Sequence, residues 1–98
     1  MPDVVDNEQE LRYELLHDGN RVGLIRYRRI EGARVLVHTE VDTGHEGEGF
    51  GSVLVKGALD DLKSRGLKVV PMCPFVAAYI RRHPEYGQLV TKDDAVSD

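Results

Sequence analysis

Between a valine-rich alternating segment and a segment of helical periodicity lies His45, Glu46, Gly47, Glu48, Gly49, Phe50, Gly51, Ser52. Three glycines at alternate positions give up backbone entropy and packing surface together, so this stretch reads as a backbone feature with no packing role. A loop of this kind entering a helix leaves several N–H groups without intrahelical partners, pointing into a concavity where the helix dipole favours negative charge. A Cβ would block both the left-handed turn and the close approach of a ligand to the main chain. The stretch from Glu46 through Gly47, Glu48, Gly49, Phe50 and Gly51 to Ser52 is therefore the candidate phosphate cradle.

Spacing narrows the ligand. No Gly-Lys-Ser/Thr follows, so the loop is not the nucleoside-triphosphate pattern. Counting from Gly47, the third glycine of a dinucleotide-binding loop falls on Ser52, which excludes that pattern as well.

Ninety-eight residues make one domain, read as residues 11–91 between tails 1–10 and 92–98. The tails hold the negative net charge: Asp3, Asp6, Glu8 and Glu10 give −4 in the first, and Asp93, Asp94 and Asp98 against Lys92 give −2 in the second. Both read as solvated and disordered. What remains carries 12 Lys and Arg against 10 Asp and Glu, compatible with an anionic small ligand and far short of the basic stripe of a nucleic-acid binder. One cysteine, Cys73, excludes a disulfide framework and suits a reducing compartment. Neither a long apolar run nor a basic-then-apolar start is present, so the expectation is a cytoplasmic monomer without membrane contact. His17, His38, His45 and His83 lack a ligand spacing, and no metal is expected.

Leu11, Tyr13 and Leu15 alternate with Arg12 and Glu14 as a half-buried strand. Asp18, Gly19 and Asn20 supply hairpin chemistry. Arg21 to Ile30 is a second strand with a bulge near Gly23 to Ile25. Arg34 to Asp42 is a third, expected to place Val35, Val37, Thr39 and Val41 on one face and Leu36, His38 and Glu40 on the other. After the glycines, Leu54, Val55, Ala58, Leu59 and Leu62 recur at helical spacing, and Gly66 fits the position just past the helix end. Leu67 to Met72 reads as a short buried strand, parallel to the third. Cys73 and Pro74 open a second helix with Phe75, Val76, Tyr79 and Ile80 on one face, stopped by Pro84. Tyr86, Leu89 and Val90 form a last apolar segment able to pack or to pair at an edge.

With that order in place, Glu46 to Gly51 resembles the Q/R-x-x-G-x-G/A loop of the GNAT (general-control-type N-acetyltransferase) superfamily, with Glu46 where that family has Gln or Arg. Val70, Pro71, Met72, Cys73, Pro74, Phe75 and then Pro84, Glu85, Tyr86 are similar to two motifs of its minimal, stand-alone branch. The resemblance implies an α+β, GNAT-like fold: three antiparallel strands, the glycine loop and a helix, a parallel but splayed strand, and a second helix. It also implies acetyl-CoA as co-substrate, with its pyrophosphate on the loop and its pantetheine arm between the splayed strands. Backbone N–H groups of Val41 and Asp42 would meet that arm, and Met72 or Cys73 stands where the superfamily commonly has an Asn. Tyr79 falls where many members place the tyrosine that protonates the departing thiolate.

Transfer of an acetyl group to an amine needs a proton acceptor, and His38 and Glu40 are the candidates on the third strand. Cys73, at a helix N-terminus, is a candidate nucleophile or a residue lining the cofactor. The implied function is transfer to an amine, with a protein amine suited by the absence of the superfamily's first helix pair. The alternative is a CoA-binding module without catalysis.

Overall fold

The computed structural model describes residues 2–42 and 49–91. Strands β1 (Asp3–Asn7), β2 (Arg12–His17), β3 (Asn20–Ile30) and β4 (Ala33–Val41) precede helix α1 (Phe50–Ser64), strand β5 (Lys68–Pro71), helix α2 (Pro74–Arg82) and a 3-10 helix (Pro84–Leu89). The five strands lie in chain order in one sheet, the first four antiparallel and β5 parallel to β4.

Residues 1–10 read from sequence as a disordered tail, and the structure corrects this: Asp3–Asn7 pairs with β2 along its whole length. The reason is nonlocal. Asp6 lies 2.6 Å from the Arg34 guanidinium, with both side chains about 95% buried, and it accepts a 2.6 Å bond from the Tyr27 hydroxyl. Arg34 also donates to Tyr13 Oη at 2.9 Å, and Tyr13 donates to Asp61 at 2.7 Å, tying β1 through β4 to α1. Burial and then the hydrogen bond to a carboxylate push the Tyr13 and Tyr27 hydroxyls far above the ordinary tyrosine range, so both remain protonated donors. The antiparallel part of the sheet thus has four strands rather than three. The second tail, 92–98, lies outside the described residues.

Two residue insertions in the ladder decide which side chains face the helices. Leu15 pairs with Gly23 and Leu16 with Arg21, leaving Val22 as a bulge; Arg26 pairs with His38 and Tyr27 with Leu36, leaving Val37 as another. The second bulge corrects the expected alternation of β4. Leu36 belongs to the helix-side core, and after Val37 the phase shifts so that Val41 packs on the same core. Thr39 follows Val41, while His38 and Glu40 fall on the opposite face. That opposite face carries the buried Leu24, Ala33, Val35 and Val70, none of which joins the core cluster. Among the described residues no helix packs on it, since the buried faces of α1 and α2 both join the helix-side cluster.

Helix α1 buries Phe50, Leu54, Val55, Ala58, Leu59 and Leu62 on the core. It ends as the glycine predicts. Gly66 adopts φ +71°, and the Leu67 N–H reaches back 2.9 Å to the Leu62 carbonyl oxygen while the Gly66 N–H bonds that of Lys63. The last apolar segment does both things open to it: Tyr86 packs in the core, and Val90 bridges Val69 in parallel.

Candidate acetyl-CoA site

The site forms where β4 and β5 part. Their pairing runs from Ala33 with Lys68 to Leu36 with Pro71 and stops. Met72 N–H then bonds the Val70 carbonyl and Cys73 N–H the Leu36 carbonyl at 2.9 Å, which turns the chain out of the sheet and into α2. Beyond Leu36 that edge of β4 has no strand partner among the described residues, in keeping with a splayed arrangement.

Which amides face the gap follows from the antiparallel ladder. Asp42 N–H donates to the Val22 carbonyl at 2.8 Å, so alternate residues of β4 bond to β3 and the ones between turn away. Val41 and Thr39 therefore direct their N–H groups into the gap. Asp42, expected as a second donor, does not: its amide is committed to Val22.

Helix α1 opens toward the same end. Gly49 is its N-cap at φ +78°, and the first intrahelical bond is from Val53 N–H to the Gly49 carbonyl. The N–H groups of Gly51 and Ser52 precede that bond and, among the described residues, take no intrahelical partner. No acidic residue sits in the first turn to cancel the dipole. Glu46, Gly47 and Glu48 lie outside the described residues. Gly51 corrects the view that these glycines have no packing role, since a Cβ there would stand 2.8 Å from the tip of the Phe75 ring. That close approach brings the N-termini of α1 and α2 together, so two positive helix ends converge beside the gap.

Cys73 caps α2 in an extended conformation and is 5% exposed. Its Sγ lies 3.3 Å from Thr39 Oγ. Burial raises the thiol, but the Thr39 hydroxyl and the N–H groups of Val76, Phe75 and Thr39 outweigh it, and the net effect is a thiol below its ordinary range. Sequence reasoning passed over Thr39. A threonine in a strand is ordinary, and only the Val37 bulge, which periodicity did not reveal, turns it toward the sulfur.

The remaining candidates do not all gather there. His38 Nε2 and Glu40 Oε2 are 3.0 Å apart, both more than half exposed, on the face of β4 away from Thr39 and Val41. The Tyr79 ring is buried and stacks on His83 with centroids 4.1 Å apart. Burial raises its hydroxyl above the usual range, and among the described residues that hydroxyl has no hydrogen-bond partner. Met72 is half exposed at the β5 end of the gap. Among the described residues no group of three or more His, Cys, Asp or Glu is placed to hold a metal, and no helix is long and apolar enough to cross a membrane.

A mixed sheet whose parallel pair splays beside a glycine-started helix defines the acyl-CoA N-acyltransferase class of fold. Solved structures agree. A Staphylococcus aureus protein assigned as a GCN5-like N-acetyltransferase superposes with a TM-score of 0.68 at 19% identity, covering 93% of this chain and 89% of that one. The ribosomal-protein-S18-alanine N-acetyltransferase of Escherichia coli matches with a TM-score of 0.59 at 21% identity, over 83% of this chain. A ribosomal-protein-alanine N-acetyltransferase of Brucella melitensis biovar Abortus 2308 gives 0.52 at 22% identity, over 89% of this chain. The chain spans 54% and 65% of the lengths of these last two. No functionally curated protein matches its sequence. The family model of the GCN5-related N-acetyl-transferases matches residues 12–89, and the chain belongs to that family.

Proposed function

We propose that the protein is an acetyl-CoA-dependent N-acetyltransferase whose acceptor is an amine presented by a protein. The observation that carries this reading is the convergence at the parted β4–β5 edge of the Val41 amide, the first-turn amides of α1 and the Cys73 sulfur. A pyrophosphate would sit on the N–H groups of Gly49, Gly51 and Ser52, joined by the Glu46–Glu48 segment. The pantetheine amide would meet Val41, with Met72 and Cys73 lining the far wall.

In the reaction the acceptor nitrogen forms its bond to the acetyl carbon as the carbon–sulfur bond breaks; the nitrogen gives up a proton and the CoA sulfur takes one. Glu40, partnered by His38, is the group on β4 suited to accept the first, directly or through water. Tyr79, kept protonated by burial, is suited to supply the second. A protein amine would approach from the face of β4 that carries the exposed Glu40, on which no helix packs among the described residues.

If Glu40 is the base, Glu40→Gln lowers kcat by about 100-fold while CoA affinity stays within a factor of two, and the loss shrinks at high pH as the amine deprotonates unaided. A kcat profile across pH measures this. Unchanged turnover would leave Glu40 as half of an exposed strand-face contact with His38. It would also favour the second reading, a CoA-binding module without catalysis, which the separation of the His38–Glu40 pair from Cys73 across β4 already supports.

Cys73 distinguishes two routes. Under either, bound CoA slows alkylation of Cys73 by iodoacetamide by about tenfold or more, because the cofactor lies against the sulfur. Equal rates with and without saturating CoA would remove Cys73 from the site. A relay through the sulfur requires in addition an acetyl mass on the Cys73 peptide after acetyl-CoA alone, and loss of transfer in Cys73→Ala.

A further inference from the structure

The geometry assigns to Thr39 the role of positioning residue for Cys73: its hydroxyl and its own backbone N–H, presented by the Val37 bulge, hold the sulfur toward the β4–β5 gap. Three observations meet in this residue. Thr39 Oγ lies 3.3 Å from Sγ, across 34 residues of sequence. The ladder turns the Thr39 N–H away from β3, into the gap where the sulfur lies. The Cys73 main chain is separately pinned by its N–H bond to the Leu36 carbonyl, three residues before Thr39 on the same strand. Strand and cysteine are therefore held at two points, and the Sγ–Oγ contact is set by the backbone rather than by a free rotamer.

The bulge is what makes this possible. If Val37 were an ordinary strand residue, strict alternation from Leu36 would put His38 on the helix side and send the Thr39 hydroxyl to the opposite face. An imidazole beside the sulfur would change its chemistry. A hydroxyl does less and does it at every pH: it has one proton to donate to a thiolate and carries no charge to titrate. The groups that favour the ionised sulfur are all donors of this kind, Thr39 from β4 and the N–H groups of Phe75 and Val76 from α2, with no ionised side chain among the leading ones.

The role of Thr39 rests on the proposed function only for what the sulfur is used for; the contact can be tested without any transfer reaction. Because Cys73 is the sole cysteine, iodoacetamide alkylation followed by mass reports on it alone. The expected profile for Thr39→Val is alkylation at neutral pH about tenfold slower than wild type, the loss of one charge-assisted hydrogen bond, with the two curves approaching each other at high pH. Thr39→Ser, which keeps the hydroxyl, restores the wild-type profile. Thr39→Ala is the second variant should Val disturb β4, with folding followed by thermal unfolding. A wild-type pH profile in both Thr39→Val and Thr39→Ala, or failure of Thr39→Ser to differ from them, overturns the assignment. Wild-type protein that shows the Thr39 effect but binds no CoA would sink the proposed function and leave the Thr39 contact standing.

Discussion

Asp6→Ala lowers the free energy of unfolding by about 3 kcal/mol or more, the cost of leaving one member of a buried ion pair without its partner. Arg34 is enclosed by the Tyr13 and Tyr27 rings, the latter with its centroid 4.5 Å from the guanidinium carbon, and its next carboxylate, the half-exposed Glu8, stands 3.9 Å away. The Tyr27 hydroxyl loses its acceptor in the same step. Asp3→Ala removes an equal charge from the exposed start of the same strand and shifts stability by about 0.5 kcal/mol at most. Urea unfolding of both variants measures the difference. Equal, small shifts in midpoint would mean that β1 is not held by Asp6, and the tail reading of residues 1–10 would return.

The second large effect concerns the start of α1. Gly49 stands at φ +78°, and among the described residues no atom lies within 4 Å of where its Cβ would project, so Gly49→Val acts through the backbone more than through a clash. What it does is force a β-branched residue into the left-handed region and place a side chain over the first-turn amides. The expected result is CoA binding weakened by about 100-fold or more, combining backbone strain with loss of charge-assisted contacts, and far exceeding the effect of Glu46→Ala. Gly66→Val is the control, because it carries the same strain at φ +71° at the other end of the same helix. It lowers stability and leaves CoA affinity unchanged. If both variants bind CoA alike in calorimetry, the phosphates do not sit on the N-terminus of α1.

Much of the fold is legible in the sequence because it is written in local periodicity. The period-2 runs around Tyr13, Ile25 and Val35, the 3.6-residue recurrence of Leu54, Ala58 and Leu62, and the stops at Gly66 and Pro84 all fall on the observed elements. The Asp18–Gly19 turn is read correctly for the same reason, since both residues adopt positive φ between His17 and Asn20. What periodicity misses is pairing at a distance. β1 has only Val4 and Val5 to announce it, and its decisive residue is an aspartate whose partner stands 28 positions on. The phase of β4 is misread beyond Leu36 because a one-residue bulge leaves no compositional mark at Val37. That single shift separates His38 and Glu40 from Cys73 and brings in Thr39 instead. Of the glycines in the loop, Gly49 adopts the positive φ expected of it, and Gly51 has a reason to be glycine that the sequence hides, in a phenylalanine ring 24 residues away.

Titration of CoA into the purified full chain by calorimetry tests the central claim most directly. The account predicts one-to-one binding that weakens with added salt, as a ligand held through its phosphates must, and that Gly49→Val removes while Gly66→Val does not. Absence of binding by wild-type protein under conditions where it is folded, or binding untouched by Gly49→Val, would contradict it.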